Sequence, residues 1–171
     1  MKIRSIALAL GLVLAAGSAS AATTTGTFDV TASVSGSCVI VAANSIAFGT
    51  YDPTGANASA NLDGAGSVSV RCTAGSTNVR VALDQGANAD AASTEEAPLR
   101  RMASGSNYLS YSLYKDTGRT SVWGDASADH TIASFASSLT PVVLQTYGRV
   151  AGGQNAAIGT YTDTVGVTVT F

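Results

Sequence analysis

Residues 25–38 read "TGTFDVTASVSGSC". Phe28, Val30, Ala32 and Val34 alternate with Thr27, Asp29, Thr31 and Ser33, the two-residue period of a strand that buries one face. The segment lies near one extremity of the chain, and Ser35-Gly36-Ser37 and a cysteine separate it from the remaining residues. Extremities ordinarily fray unless something ties them down, so this strand needs a partner.

Upstream of it, Lys2 and Arg4 precede an apolar run from Ile6 to Ala16, and small residues end in Ala19-Ser20-Ala21. That order is expected of a secretory signal peptide over residues 1–21 with an A-x-A cleavage site. Its apolar part is shorter than the roughly 20 residues that crossing a bilayer requires, and no later segment approaches that length. No membrane span is expected. Cleavage leaves residues 22–171, 150 in all, enough for one domain with a core of its own.

Lys2 and Arg4 leave with the signal, so nine Lys and Arg become seven against eleven acids, a formal charge of −4. That balance disfavours nucleic acid and anionic membranes as partners. Charged residues make up only 12% of the chain, about half the usual share. A surface built of Ala, Ser, Thr and Gly instead suits packing against copies of itself. The two cysteines, Cys38 and Cys72, would be exported to an oxidising compartment, where a disulfide is the economical reading. A metal site is the alternative; it lacks partners, since there is one histidine and no C-x-x-C.

The remainder is a series of short alternating segments broken by Gly, Asn, Asp and Pro, which predicts an all-β sandwich. Expected strands are 45–51, 67–72, 78–84, 108–116 and 140–150. Those at 67–72 and 78–84 could form a hairpin, with Val68, Val70 and Cys72 on one face and Val79, Val81 and Leu83 on the other strand's. Residues 54–66 and 85–99 read as loops, and 125–138 is ambiguous. The last segment, 161–171, has the longest alternation: Tyr161, Asp163, Val165, Val167, Val169 and Phe171 share a face. A strand of this kind must be held in a sheet or become a sticky edge.

Chemistry is harder to find. His130 is the sole imidazole and no G-x-S-x-G occurs, which leaves a serine-type hydrolase without its parts. His130 with Asp125 and Asp129 matches no standard metal loop, and no pair among the eleven acids stands out for glycoside hydrolysis. Phosphate-binding and dinucleotide fingerprints are absent. Asn57-Ala58-Ser59 matches a glycosylation sequon, and Arg100-Arg101 after Glu95-Glu96 reads as a charged face. No cofactor, metal or catalytic residue is expected.

In order along the chain, "IAFGTYDP" (46–53), "VSVRCT" (68–73), "LRRM" (99–102), "LSYSLYKD" (109–116), "VWG" (122–124), "YGRV" (147–150) and "GTYTDTVGVTVTF" (159–171) resemble the spore coat protein U domain family, which includes subunits of archaic chaperone-usher pili. The resemblance covers 38–171, and residues 26–35 resemble the N-terminal extension of such subunits. It implies an immunoglobulin-like β-sandwich short of its last strand and completed by a donor strand, hence a pilin domain over 38–171 preceded by a donor extension and hinge over 22–37. Phe28, Val30, Ala32 and Val34 would then enter the groove of a neighbouring copy. The strand holding Tyr161, Val165, Val167, Val169 and Phe171 would meet a periplasmic chaperone, and an outer-membrane usher would exchange one strand for the other. The protein would end in a surface or extracellular fimbrium serving adhesion and biofilm formation. The opening strand could instead fold back into its own domain, giving a self-contained secreted or spore-coat protein.

Overall fold

The computed structural model describes residues 20–127 and 129–171. All but the last two residues of the expected signal peptide lie outside that set. The chain divides into two units, one ending at Ser33 and the other running from Val34 to Phe171. In the first, residues 20–33 form neither helix nor strand and are exposed.

The second unit is all-β, apart from one short 3-10 turn at Ala56–Ala58. Its strands are β1 (Cys38–Asn44), β2 (Leu62–Cys72), β3 (Val79–Leu83), β4 (Arg100–Ser104), β5 (Asn107–Tyr114), β6 (Thr131–Ala133), β7 (Val142–Val150) and β8 (Val167–Thr170). They form two antiparallel sheets in an immunoglobulin-like sandwich, one ordered β1-β2-β7-β5-β4 and the other β6-β3-β8. Between the sheets lie Val68, Val70 and Cys72 of β2, Val79, Val81 and Leu83 of β3, and Leu109, Tyr111 and Leu113 of β5, all buried. Trp123 is fully buried, and its indole N–H donates to the Val81 carbonyl at 3.0 Å.

Several segments differ from the sequence reading. β2 begins at Leu62, inside the stretch 54–66 expected to be a loop. The expected hairpin between 67–72 and 78–84 does not form: β2 pairs with β1 and β7, whereas β3 belongs to the other sheet. Alternation fixes which face a strand buries and leaves its pairing partner open. Residues 45–51 are no strand. The chain leaves the sheet after Asn44, and Ile46 and Phe48 lie against Gly64 and Gly66 of β2 and Gly148 of β7. Gly64 and Gly148 are a cross-strand pair, and a Cβ on Gly148 would stand 2.6 Å from the Phe48 ring. Glycine within a strand marks such a close approach. Within 161–171 only Val167–Thr170 is a strand; Thr162 makes an isolated bridge to Ala103.

Arg100 is the largest departure. Expected on a charged face, it is 1% exposed and reaches from β4 to the end of β3 in the opposite sheet, donating to the carbonyls of Leu83 (3.0 Å) and Asp84 (2.8 Å from Nε) and to that of Trp123 (3.0 Å) in the segment after β5. Burial pulls the guanidinium below its ordinary pKa, and Tyr111, Asp84 and Asp163 nearby oppose that shift. Arg101 does face outward, paired with Asp90 at 2.9 Å and stacked over Tyr108. Asn57 is buried, with its side chain bonded to the backbone of Asp52 and Ala60, so the sequon asparagine is a turn residue.

Substitutions at two of these contacts have calculable costs. Arg100→Met should leave three carbonyls without a donor and lower the unfolding free energy by about 3 kcal/mol or more, read from urea unfolding. Gly148→Ala should push Phe48 out of its seat at about 1–3 kcal/mol, and adding Phe48→Leu should recover part of the loss.

Candidate functional site

β1 is the edge of one sheet and β8 the edge of the other, and the two edges lie at the same flank of the sandwich, in contact with each other. No ninth strand covers that flank among the described residues. Beyond the two strands, residues 45–51 form one wall and residues 156–167 the other. Between them run two adjoining clefts of about 320 Å³ and about 620 Å³, which share Ile46, Phe48, Met102 and Tyr161. The first is floored by Val68, Leu83, Tyr111 and Leu113, the second by Leu62, Leu109 and Val150. The result is an apolar groove that opens directly onto the core.

A strand-sized vacancy of this kind offers two things at once. Apolar sites lie at intervals along its floor, and backbone N–H and C=O groups lie along its rims, because residues 45–51 pair with no strand and β8 pairs only with β3 among the described residues. An extended segment can satisfy both: its side chains fill the sites while its backbone joins a ladder.

Polar residues, among them Ser67, Thr146 and Thr162, also line the groove, and one polar contact spans it. The Tyr111 hydroxyl donates to Asp163 at 2.7 Å, and the other Asp163 oxygen accepts from the backbone and side-chain N–H groups of Asn88, each at 3.0 Å. This joins β5 to the segment that leads into β8. Burial, then the bond to Asp163, raises the Tyr111 pKa far above its ordinary value. No grouping of three or more His, Cys, Asp or Glu among the described residues could hold a metal. Asp125 instead pairs with Arg80 at 2.7 Å, and the His130 ring lies 3.2 Å from the Ala126 carbonyl.

The residues singled out from sequence fall in three places. Tyr161, Val165, Val167 and Val169 are half-buried against the core, the first three along the groove wall, while Phe171, expected on the same face, is 64% exposed. Cys38 and Cys72 are disulfide-bonded and join the first residue of β1 to the last of β2. Phe28, Val30 and Val34 are 86%, 83% and 85% exposed, Ala32 is exposed as well, and none of the four is in a strand. Sequence reasoning did not assign Met102 to the groove, nor Ile46 and Phe48 to its wall. The signal that could have found that wall was the alternation of Gly64 and Gly66 in β2 with Gly148 opposite.

Tyr111→Phe should cost about 1 kcal/mol at neutral pH. The folded protein holds the phenolic proton more tightly than the unfolded chain, so this group's contribution is complete below about pH 10 and is lost above it. The stability gap between wild type and Tyr111→Phe should therefore narrow as urea unfolding is repeated at rising pH beyond that point.

Comparison with known proteins places this geometry. The Spore Coat Protein U domain matches residues 24–168. "Protein U" of Myxococcus xanthus is 44% identical over 160 residues, covering 90% of this chain and 88% of that protein. Among solved structures, a chain from the chaperone-tip adhesion subunit pre-assembly complex CsuC-CsuE, from the archaic chaperone-usher Csu pili of Acinetobacter baumannii, shares the fold. It matches at a TM-score of 0.51 and 22% identity, over 81% of this chain and 40% of that one. With a family match spanning the described body and a close relative of nearly equal length, the chain belongs to the Spore Coat Protein U domain family.

Proposed function

We propose that the protein is a structural subunit of an archaic chaperone-usher pilus and that it polymerises by donor-strand complementation: residues 28–34 of one copy fill the groove of the next. The observation that carries this reading is a pairing of two deficits. The body has an uncovered apolar groove with open strand edges, and the same chain holds a strand-patterned segment whose apolar side chains are exposed. Each supplies what the other lacks.

Filling the groove with Phe28, Val30 and Val34 removes one Phe and two Val from water, worth about 5–9 kcal/mol before ordering costs, and ladder hydrogen bonds add to that. Ala32 contributes least. The arm's own body is a poorer destination. Thr73 holds its root, accepting from the Ser37 N–H at 3.0 Å and donating to the Ser35 carbonyl at 3.2 Å, while the Thr73 N–H donates to the Ser37 carbonyl at 2.9 Å. With 35–37 extended alongside Thr73, self-insertion would need a sharp reversal at Val34.

Before assembly the groove needs cover. In this reading a periplasmic chaperone lends a strand against Tyr161, Val165, Val167, Val169 and Phe171, and an outer-membrane usher mediates its replacement by the next subunit's arm. The chain is exported through the periplasm, its signal peptide removed, and assembled at the cell surface into a fimbrium serving adhesion and biofilm formation. The role is structural and uses no cofactor or nucleotide. The solved Csu complex, a chaperone with a pilus subunit, supports this choice of partners.

Phe28→Asp would place a charge in the apolar groove at a cost of several kcal/mol. Ladders of polymer that survive unheated detergent should disappear in that variant, and electron microscopy of cells should show no fibres. Wild-type protein that stays monomeric, or Phe28→Asp fibres in normal number, would refute the proposal and favour a self-contained coat protein.

A further inference from the structure

Two side chains of the body are as exposed as the arm itself, and they lie at opposite ends. Leu139 is 84% exposed and Ile158 is fully exposed; every other large apolar residue of the body beyond Val34 is better covered. Leu139 sits at the end where the arm begins: the Ala74 N–H donates to the Ser138 hydroxyl at 2.7 Å, and Thr73 grips Ser35 and Ser37. Ile158 lines the far cleft with Leu62 and Val150, at the other end of the paired β2 and β7. Val142 pairs with Val70 near the root end and Val150 with Leu62 at the far end, so the two ends of this ladder in one molecule are roughly 25 Å apart.

Resting on the donor-strand reading, we infer that Leu139 of one subunit packs against Ile158 of the next, forming a second, end-to-end contact beside the inserted arm. The occupant of each patch is another copy of this chain, and the short root dictates it. Ser35 is held to the body, so Val34 is the first residue free to enter a neighbour, and one residue spans at most about 3.6 Å. The accepting end of the neighbour's groove must therefore abut the root end of the donor. That accepting end cannot be the neighbour's own root end, because the neighbour's own arm leaves there toward a third subunit. It is the Ile158 end. The arm then runs antiparallel to β8, the more stable pairing of the two, with Val34 in the wide cleft near Ile158 and Phe28 deeper along the groove. Root end meets Ile158 end at every junction, a heterologous contact that propagates.

The test uses the full chain carrying Leu139→Cys and Ile158→Cys together. Both native cysteines are in the disulfide, so a short bis-maleimide reacts only at the introduced thiols. Assembled polymer should give a covalent ladder that survives boiling in detergent, with monomer only from either single variant. A non-covalent ladder without the covalent one would overturn the contact and leave the donor-strand reading standing. Cross-linked dimers from a single variant would show like ends meeting and would also overturn it. No ladder from the wild-type chain would overturn both. As a second measurement that does not need the cysteines, a benzoylphenylalanine replacing Ile158 should photo-crosslink to the neighbour's peptide containing Leu139; a different peptide would contradict the proposal.

Discussion

Both sheets of this sandwich end at the same flank, where their terminal edges β1 and β8 touch, and beyond that contact residues 45–51 and 156–167 leave the core open between them. An ordinary sandwich closes over its core, since exposing it forfeits roughly 25 cal/mol for each Å² of apolar surface. Here the groove persists because other contacts hold its walls. Trp123 and Arg100 tie one sheet to the other from within. Phe48 and Ile46 are seated on glycines and cannot collapse inward past them. Tyr111 and Asp163 fix the far wall against β5. The vacancy is a shaped feature with braces on each side.

The arm is anchored with similar care. Cys38 begins β1, an edge strand that a pull on the arm would peel first, and the disulfide locks that first residue to Cys72 at the end of β2. Closing a loop with a sequence separation of 34 is worth roughly 3–4 kcal/mol on the chain-entropy view. In a fibre, tension arriving through Val34 would pass across Thr73 and the disulfide into β2, the strand with partners on both sides. A short, pinned root thus serves load transfer as well as geometry.

Much of this is legible in the chain. Val79, Val81 and Leu83, and Leu109, Tyr111 and Leu113, announce their buried faces by alternation, and the arm announces that it needs a partner. Pairing is not legible, because a two-residue period reports a face and says nothing of the neighbour; hence the hairpin that never forms and the overlong strand at 161–171. β1 escapes a pattern search because "CVIVAAN" does not alternate: Val39, Ile40 and Val41 are each about half exposed on an edge with a register shift. Arg100 misleads because a charged residue beside other charges looks solvated, and only the fold brings three carbonyls to it.

The central claim is that a segment from another copy occupies the vacancy, and hydrogen exchange reads it directly. Amides of residues 45–51, and those of β8 that do not bond to β3, should exchange fast in Phe28→Asp monomer and become strongly protected in assembled wild-type protein, while those of β2 and β7 stay slow in both. Equal exchange along the groove rims in the two samples would contradict the account.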